Sequence, residues 1–254
     1  MRGPFDLTGR VAVVTGGNRG IGLGIARGLA RAGATLALWA RDEARSREAC
    51  DSLGAEGARV LALRCDVACE ADVRSASEET LSRFGRIDAC FANAGFLETR
   101  DPLRMTLEQW RRVLDVNLDG AFLTFREVAR HMVERGGGGK LVALGSISER
   151  FGTPKQPHYA ASKAALAALV RSYAVELARH DVQVNLIQPG WIATEAIAPA
   201  VDHPPLHEAI LRRTPARRLG TPDDLAGIAV YLASDASRFH TGDSLRVDGG
   251  YSVF

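Results

Sequence analysis

The chain has 254 residues, 46% hydrophobic and 24% charged, with 32 Lys and Arg against 30 Asp and Glu for a net charge of +2. A chain of this size buries roughly three quarters of its unfolded surface and needs no disulfide or metal staple, and so even a charge balance offers no basic face to nucleic acid. No apolar run approaches the roughly 18–20 residues that cross a bilayer, and the start, Met1 to Asp6, lacks the apolar core of a signal peptide, so a cytoplasmic protein without a membrane partner is expected.

Val11-Ala-Val-Val14 reads as a short buried strand, Thr15 to Gly22 as a glycine-rich loop, and Ile21 to Ala32 as a helix stopped by Gly33. The alternation recurs: Thr35 to Trp39 apolar, Glu43 to Leu53 helical, Arg59 to Leu63 apolar, Ala71 to Phe84 helical, Ile87 to Ala92 apolar. Leu107 to Leu114 and Gly120 to Glu134 read as helices, followed by a turn at Gly136 to Gly139 and the strand Lys140 to Leu144. An Ala-rich helix covers Tyr159 to Arg179, Val182 to Ile187 is a buried strand, and a helix at Pro222 to Ala233 precedes a last strand, Ser244 to Val247. Short continuous apolar runs between helices predict an α/β fold, a Rossmann-like doubly wound parallel sheet of about seven strands with helices on both faces. No Pro-, Ser- or charge-rich linker interrupts the series, so one domain is expected over 1–254. The stretch 192–216, with Pro199, Pro204, Pro205 and Pro215, breaks the pattern and is the candidate for a substrate lid. Cys50, Cys65, Cys69 and Cys90 have neither disulfide nor metal-ligand spacing and read as free thiols, with no metal site expected.

The loop at Thr15 to Gly22 lies between a strand and a helix, the context a dinucleotide-binding turn requires. Gly16, Gly20 and Gly22 let the backbone turn tightly, while Asn18, Arg19 and Ile21 complete a loop whose helix end attracts a diphosphate. Asp66, after the third strand, can accept a hydrogen bond from an adenine amino group; the alternative is a helix N-cap. At the end of the second strand Arg41 follows Ala40, and with Arg19 it can meet a 2′-phosphate, unless Arg41 only pairs with Asp42 or Glu43. Tyr159 and Lys163 stand four residues apart on one helix face. A fixed cation near a phenol lowers a pKa of about 10 and makes a tuned acid/base. Ser146 lies just past the fifth strand, although Ser148 shares its side, and Asn117 precedes a helix.

The T-G-x-x-x-G-x-G form of Thr15 to Gly22, together with Asn117, Ser146, Tyr159 and Lys163 in order and spacing, resembles the short-chain dehydrogenase/reductase family. The resemblance spans Leu7 to Gly250 and includes Asn93-Ala94-Gly95 and Pro189-Gly190 through Ile192 to Thr194. It implies an oxidoreductase that transfers hydride between a nicotinamide and a carbonyl or secondary alcohol, with Tyr159 as acid/base and Ser146 on the substrate oxygen. It further implies that Lys163 tunes Tyr159 and holds the nicotinamide ribose, and that Asn117 holds a relay water. Asp66 and Val67 would bind the adenine end, Asn93, Ala94 and Gly95 would steady the sheet edge, and Pro189, Gly190, Ile192 and Thr194 would hold the carboxamide. NAD-preferring members carry Asp where Ala40 stands, so NADP(H) is favoured and NAD(H) stays possible. A homotetramer, or a dimer, is implied through the helices 117–134 and 159–179.

Substrate choice falls to Phe96, Ser148, Phe151, His158 and Trp191, whose aromatic members suit an apolar or ring surface. His158 either touches substrate or caps its helix. A sugar or polyol and a 3-oxoacyl thioester are the competing substrates; a carrier-bound acyl chain would use basic residues such as Arg126, Arg130, Arg212, Arg213, Arg217 and Arg218. A non-catalytic nucleotide-binding sensor on the same fold is the rival of another class.

Overall fold

A computed structural model describes residues 3–254. β1 (Val11–Thr15), β2 (Thr35–Ala40) and β3 (Val60–Arg64) alternate with α1 (Gly20–Arg31), α2 (Glu43–Ala55) and α3 (Glu70–Phe84). β4 (Ala89–Ala92) leads to α4 (Leu107–Leu114) and α5 (Gly120–Arg135), and β5 (Gly139–Leu144) to α6 (Pro157–Leu177). After β6 (Val182–Pro189) come α7 (Ala198–Val201), α8 (Pro204–Arg213), α9 (Ala226–Ala233) and β7 (Ser244–Val247). The strands form one parallel sheet in the order β3-β2-β1-β4-β5-β6-β7.

Strand side chains alternate between two cores, as a sheet covered on both faces requires. Val13 and Trp39 point to the side of Val73, Phe125, Met132 and Leu166, from α3, α5 and α6. Val14 and Leu38 point to the side of Ile25, Leu29, Leu53 and Leu232, from α1, α2 and α9. The Trp39 indole is fully buried, yet its N–H donates to Thr80 Oγ1 at 3.1 Å, so a large apolar ring enters the core without stranding its polar atom.

Local signals set the ends. Thr106 and Gln109 close a reciprocal capping box on α4, Pro157 opens α6, and Gly85 ends α3 at φ 75°. Several boundaries differ from the sequence pattern by a residue or two, and at two places a residue changes element. Gly139, expected in the turn, is the first residue of β5, paired with Val182. Pro222 to Leu225 forms a 3-10 turn ahead of α9 rather than its first turn. Between α4 and α5 lies a π turn, Asp115–Asp119, which carries Asn117.

The strand order reverses between β1 and β4, the crevice where open α/β sheets bind ligands. The 192–216 stretch folds as a turn at Glu195–Ile197 followed by α7 and α8. Its base is stitched shut, because Ile192 bridges Gly220 and Ala193 N donates to Gly220 O at 2.8 Å.

Candidate active site

Thr15 and Asn93 join the ends of β1 and β4. Thr15 Oγ1 accepts from the N–H groups of Asn93 (3.0 Å) and Ala94 (2.9 Å). Asn93 Nδ2 donates to the carbonyls of Thr15 (2.8 Å) and Gly16 (3.2 Å). Gly16 turns at φ 61°, and a Cβ on Gly22 would stand 2.3 Å from Gly16 O, so the loop closes only with glycine there. The N-cap of α1, Arg19, makes no side-chain cap, and the first turn carries no acidic residue. Its first N–H groups therefore face the crevice uncapped, which fits a dinucleotide diphosphate. The Asn18 side chain turns away, donating to Asp42 O and to Ser46 Oγ (3.0 Å), which leaves only its backbone toward the crevice.

Arg41 pairs with neither Asp42 nor Glu43; its guanidinium lies 3.7 Å from the Asp66 carboxylate. Asp66 caps no helix, since Cys69 holds that place on α3, and its Oδ1 instead accepts from Ala68 N. Val67 packs its side chain against the start of α5, where a Cβ on Gly120 would meet it at 2.6 Å. Arg45 was not anticipated from sequence. It bonds Glu195, just after Thr194, at 2.8 Å, and Arg19 approaches the same carboxylate at 3.4 Å. Glu195 is held below the usual carboxylate range by the Arg45 hydrogen bond and charge, with Arg19 adding to them. Thr194 sits over the loop, 3.4 Å from where a Cβ on Gly20 would stand, whereas Ile192 is buried and lies against Gly220. Gly190 donates its N–H to Val247 O at 3.0 Å, which places Pro189 and Gly190 beside β7.

At the ends of β4 and β5 the four polar groups of the chemical motif converge. Ser146 lies beside the Tyr159 phenol and favours its ionised form, and its Oγ accepts from Ser148 N at 3.1 Å, which gives Ser148 a supporting part. Lys163 Nζ donates to Leu144 O at 2.7 Å and stands 5.7 Å from the centroid of the Tyr159 ring. Asn117 grips the backbone of Phe96 twice, Oδ1 accepting at 2.9 Å and Nδ2 donating at 3.0 Å, and also donates to Ser162 Oγ. A Cβ on Gly95 would lie 3.0 Å from Asn117 Oδ1 and 3.5 Å from Lys163 Nζ, so the exposed glycine forms an open floor between them. Ser162 had no sequence signal, because its hydroxyl matters only through the π turn that brings Asn117 over it.

Burial dominates the electrostatics of the centre: it pushes the Tyr159 phenol up from 10, and the Ser146 hydroxyl pulls it back in part. Burial also brings Lys163 down to about 8, with Glu149 the one opposing charge. Both shifts follow from desolvation, which disfavours the phenolate and the ammonium alike.

Around this centre Phe96 lies under the Arg112 guanidinium, 5.2 Å from its centroid, and Phe151 and Trp191 both meet Tyr251 edge-on. His158 is a correction. It is fully buried, its Nδ1 accepts from Tyr159 N at 3.0 Å, and with no exposed surface it offers nothing to a substrate in the cleft.

The sequence profile of the family described as enoyl-(acyl carrier protein) reductase matches residues 16–252. The chain is 38% identical over 250 residues to 5-keto-D-gluconate 5-reductase of Escherichia coli (strain K12), covering 98% of each chain. A short-chain type dehydrogenase/reductase from Mycobacterium marinum superposes with a TM-score of 0.94 at 37% identity, covering 98% of each chain. A gluconate 5-dehydrogenase from Burkholderia cenocepacia J2315, in complex with NADP and tartrate, gives 0.95 at 38% identity, covering 99% of this chain and 98% of that one.

Proposed function

The chain belongs to the short-chain dehydrogenase/reductase family and is an NAD(P)-dependent oxidoreductase of CH–OH and carbonyl groups, and from that premise we propose that it interconverts a ketone and a secondary alcohol on a polyhydroxylated, sugar-type substrate with NADP(H). The observation that carries this reading is the Ser146–Tyr159–Lys163 cluster, with Asn117, over the open floor at Gly95.

When bound, NADPH supplies a hydride to the carbonyl carbon, and the oxidised form takes one back in the reverse direction. Tyr159 is a phenol at neutral pH, since burial raises it, and gives its proton to the carbonyl oxygen as negative charge grows there. The Ser146 hydroxyl, beside Tyr159 and held by Ser148 N, orients that oxygen. The Lys163 ammonium, pinned on Leu144 O, stabilises the phenolate left behind and offers its remaining N–H groups to the ribose hydroxyls. Asn117, clamped to the Phe96 backbone, holds the water that returns the proton to Tyr159.

Ala40 in place of a carboxylate, with Arg19, Arg41 and Arg45 around the end of β2, supports NADP(H), and NAD(H) is the weaker alternative. Residues 192–216 act as the lid, hinged at the Ile192–Gly220 stitch. A carrier-bound acyl substrate finds less support, because Arg126 is engaged by Glu70, and Arg130 by Glu127 at 3.1 Å. Exposed Val175 on α6 and Phe239 ahead of β7 support assembly into a homotetramer, which light scattering on the purified protein tests.

The decisive variant is Tyr159→Phe. It folds and titrates with NADPH as the wild type does, while ketone reduction falls by about 10³-fold or more, as loss of a positioned proton donor requires. Turnover within tenfold of wild type would reject the assignment.

A further inference from the structure

A cluster on the rim of the cleft is left unexplained by the reaction centre. Arg213, the last residue of α8, places its guanidinium carbon 4.6 Å from the Phe151 centroid and 4.4 Å from the Tyr251 centroid. The two rings meet edge-on at 6.1 Å, and Trp191 stands 6.4 Å beyond Tyr251. Phe151 leaves the segment that begins at Ser146, and Trp191 follows Gly190. Leu144 pairs with Ile187 across β5 and β6, so both segments rise from neighbouring strand ends beside the reaction centre.

Two polar groups in this cluster lack acceptors. Arg218 is held by Asp224 at 2.7 Å and Arg217 donates to Arg212 O, but the Arg213 guanidinium meets no carboxylate, carbonyl or hydroxyl among the described residues. Trp191 Nε1 is buried and has no partner among the described residues either. A buried N–H without an acceptor is costly enough that folded proteins rarely keep one. Asp248, close in sequence to Tyr251, does not fill the role, since its two oxygens accept from Gly250 N and Ser252 N, each at 2.9 Å. Phe151 and Tyr251, at 80° to each other, hold the guanidinium carbon in the corner between their rings, and its N–H groups remain for a planar, two-oxygen anion.

We propose that Arg213, framed by Phe151 and Tyr251 and joined by the Trp191 indole N–H, is the subsite for a carboxylate of the substrate, which makes the substrate a hydroxy or keto acid of sugar type. This deepens the reading of Tyr159 as a carbonyl and alcohol centre and rests on it. α8 belongs to the lid, so an acid bound here links the lid to both walls of the cleft.

The test compares ketones that differ only at the anionic end: 5-keto-D-gluconate with L-sorbose, and 2-keto-D-gluconate with D-fructose, each reduced with NADPH. Wild type is expected to favour the acid of at least one pair by about 100-fold in kcat/KM. Arg213→Gln should erase most of that preference through KM, and Trp191→Phe, which keeps a ring and removes the N–H, should lower it by about threefold to tenfold. Circular dichroism of both variants reports folding. The subsite is overturned if wild type treats acid and neutral partners alike, or if Arg213→Gln slows both partners equally, as a purely structural clamp would. Turnover confined to neutral ketones or an acetoacetyl thioester overturns the subsite and leaves the reaction centre standing. Reduction of no carbonyl at all overturns the centre itself.

Discussion

Tyr159 and Lys163 are moved in opposite senses by the same cause. Burial disfavours each charged form, so the phenol titrates above 10 and the ammonium is lost as pH rises through about 8. Reduction needs the phenol proton and the ammonium that steadies the phenolate. With NADPH, kcat/KM for the ketone should therefore be flat below about pH 8 and decline above it, whereas oxidation of the alcohol, which needs the deprotonated phenol, should climb over the same range. Profiles measured in both directions check this, and a reduction rate that rises with pH contradicts it. At this scale the sequence is legible where a motif names an atom and illegible where an atom has a choice of partners. Spacing alone points to Ser146 over Ser148; in the structure Ser148 N donates to Ser146 Oγ, and Ser146 lies near enough to Tyr159 to favour the phenolate. Nothing in the spacing says that Arg41 prefers Asp66 to its neighbours, that Asn18 turns toward Ser46, or that His158 faces inward, because each depends on which distant element packs alongside.

The periodic elements were legible because strand and helix patterns are local. The π turn at Asp115–Asp119 was not: its extra residue per turn is set by Asn117 bonding a distant backbone at Phe96 and a hydroxyl at Ser162. The lid was legible only as an interruption, and its grip on α2 through Glu195 arises from the way it folds back. That grip yields a prediction about the cofactor. Glu195 occupies Arg19 and Arg45, the same cations assigned to a 2′-phosphate, so carboxylate and phosphate compete. Glu195→Gln should tighten NADPH binding by about threefold to tenfold and NADH binding far less, as fluorescence titration would show. Because both pairs are exposed, the melting temperature should move by no more than about 1 °C. Equal tightening for both cofactors would remove Arg19 and Arg45 from the phosphate site.

Across the whole molecule the two edges of the sheet do different work. The carboxyl ends of β1, β4, β5 and β6 carry the proposed chemistry, and the opposite edge carries Asp88. This side chain is 8% exposed, takes both Arg86 and Arg135 at 2.6 Å, and accepts from Val11 N at 2.9 Å, while its own carbonyl accepts from Lys140 N. One residue thereby fixes the entries of β1, β4 and β5 and the end of α5. Burial alone would raise its carboxyl, but the hydrogen bonds from Arg86, Arg135 and Val11 outweigh it and hold the group below its ordinary 3.8. A carboxylate lowered by folding stabilises fully above its unfolded pKa of about 4, and that stabilisation fades as pH falls toward the folded value. Asp88→Asn should therefore cost about 3 kcal/mol at neutral pH, by leaving the two guanidinium groups without their anion. The variant should also lose less further stability than wild type between about pH 4 and pH 2. Urea melts across pH measure both effects. Steady-state assays of the folded variant should return the wild-type KM and kcat, because the proposed reaction centre lies at the other end of the strands. A changed KM would mean that the two edges are coupled through the sheet.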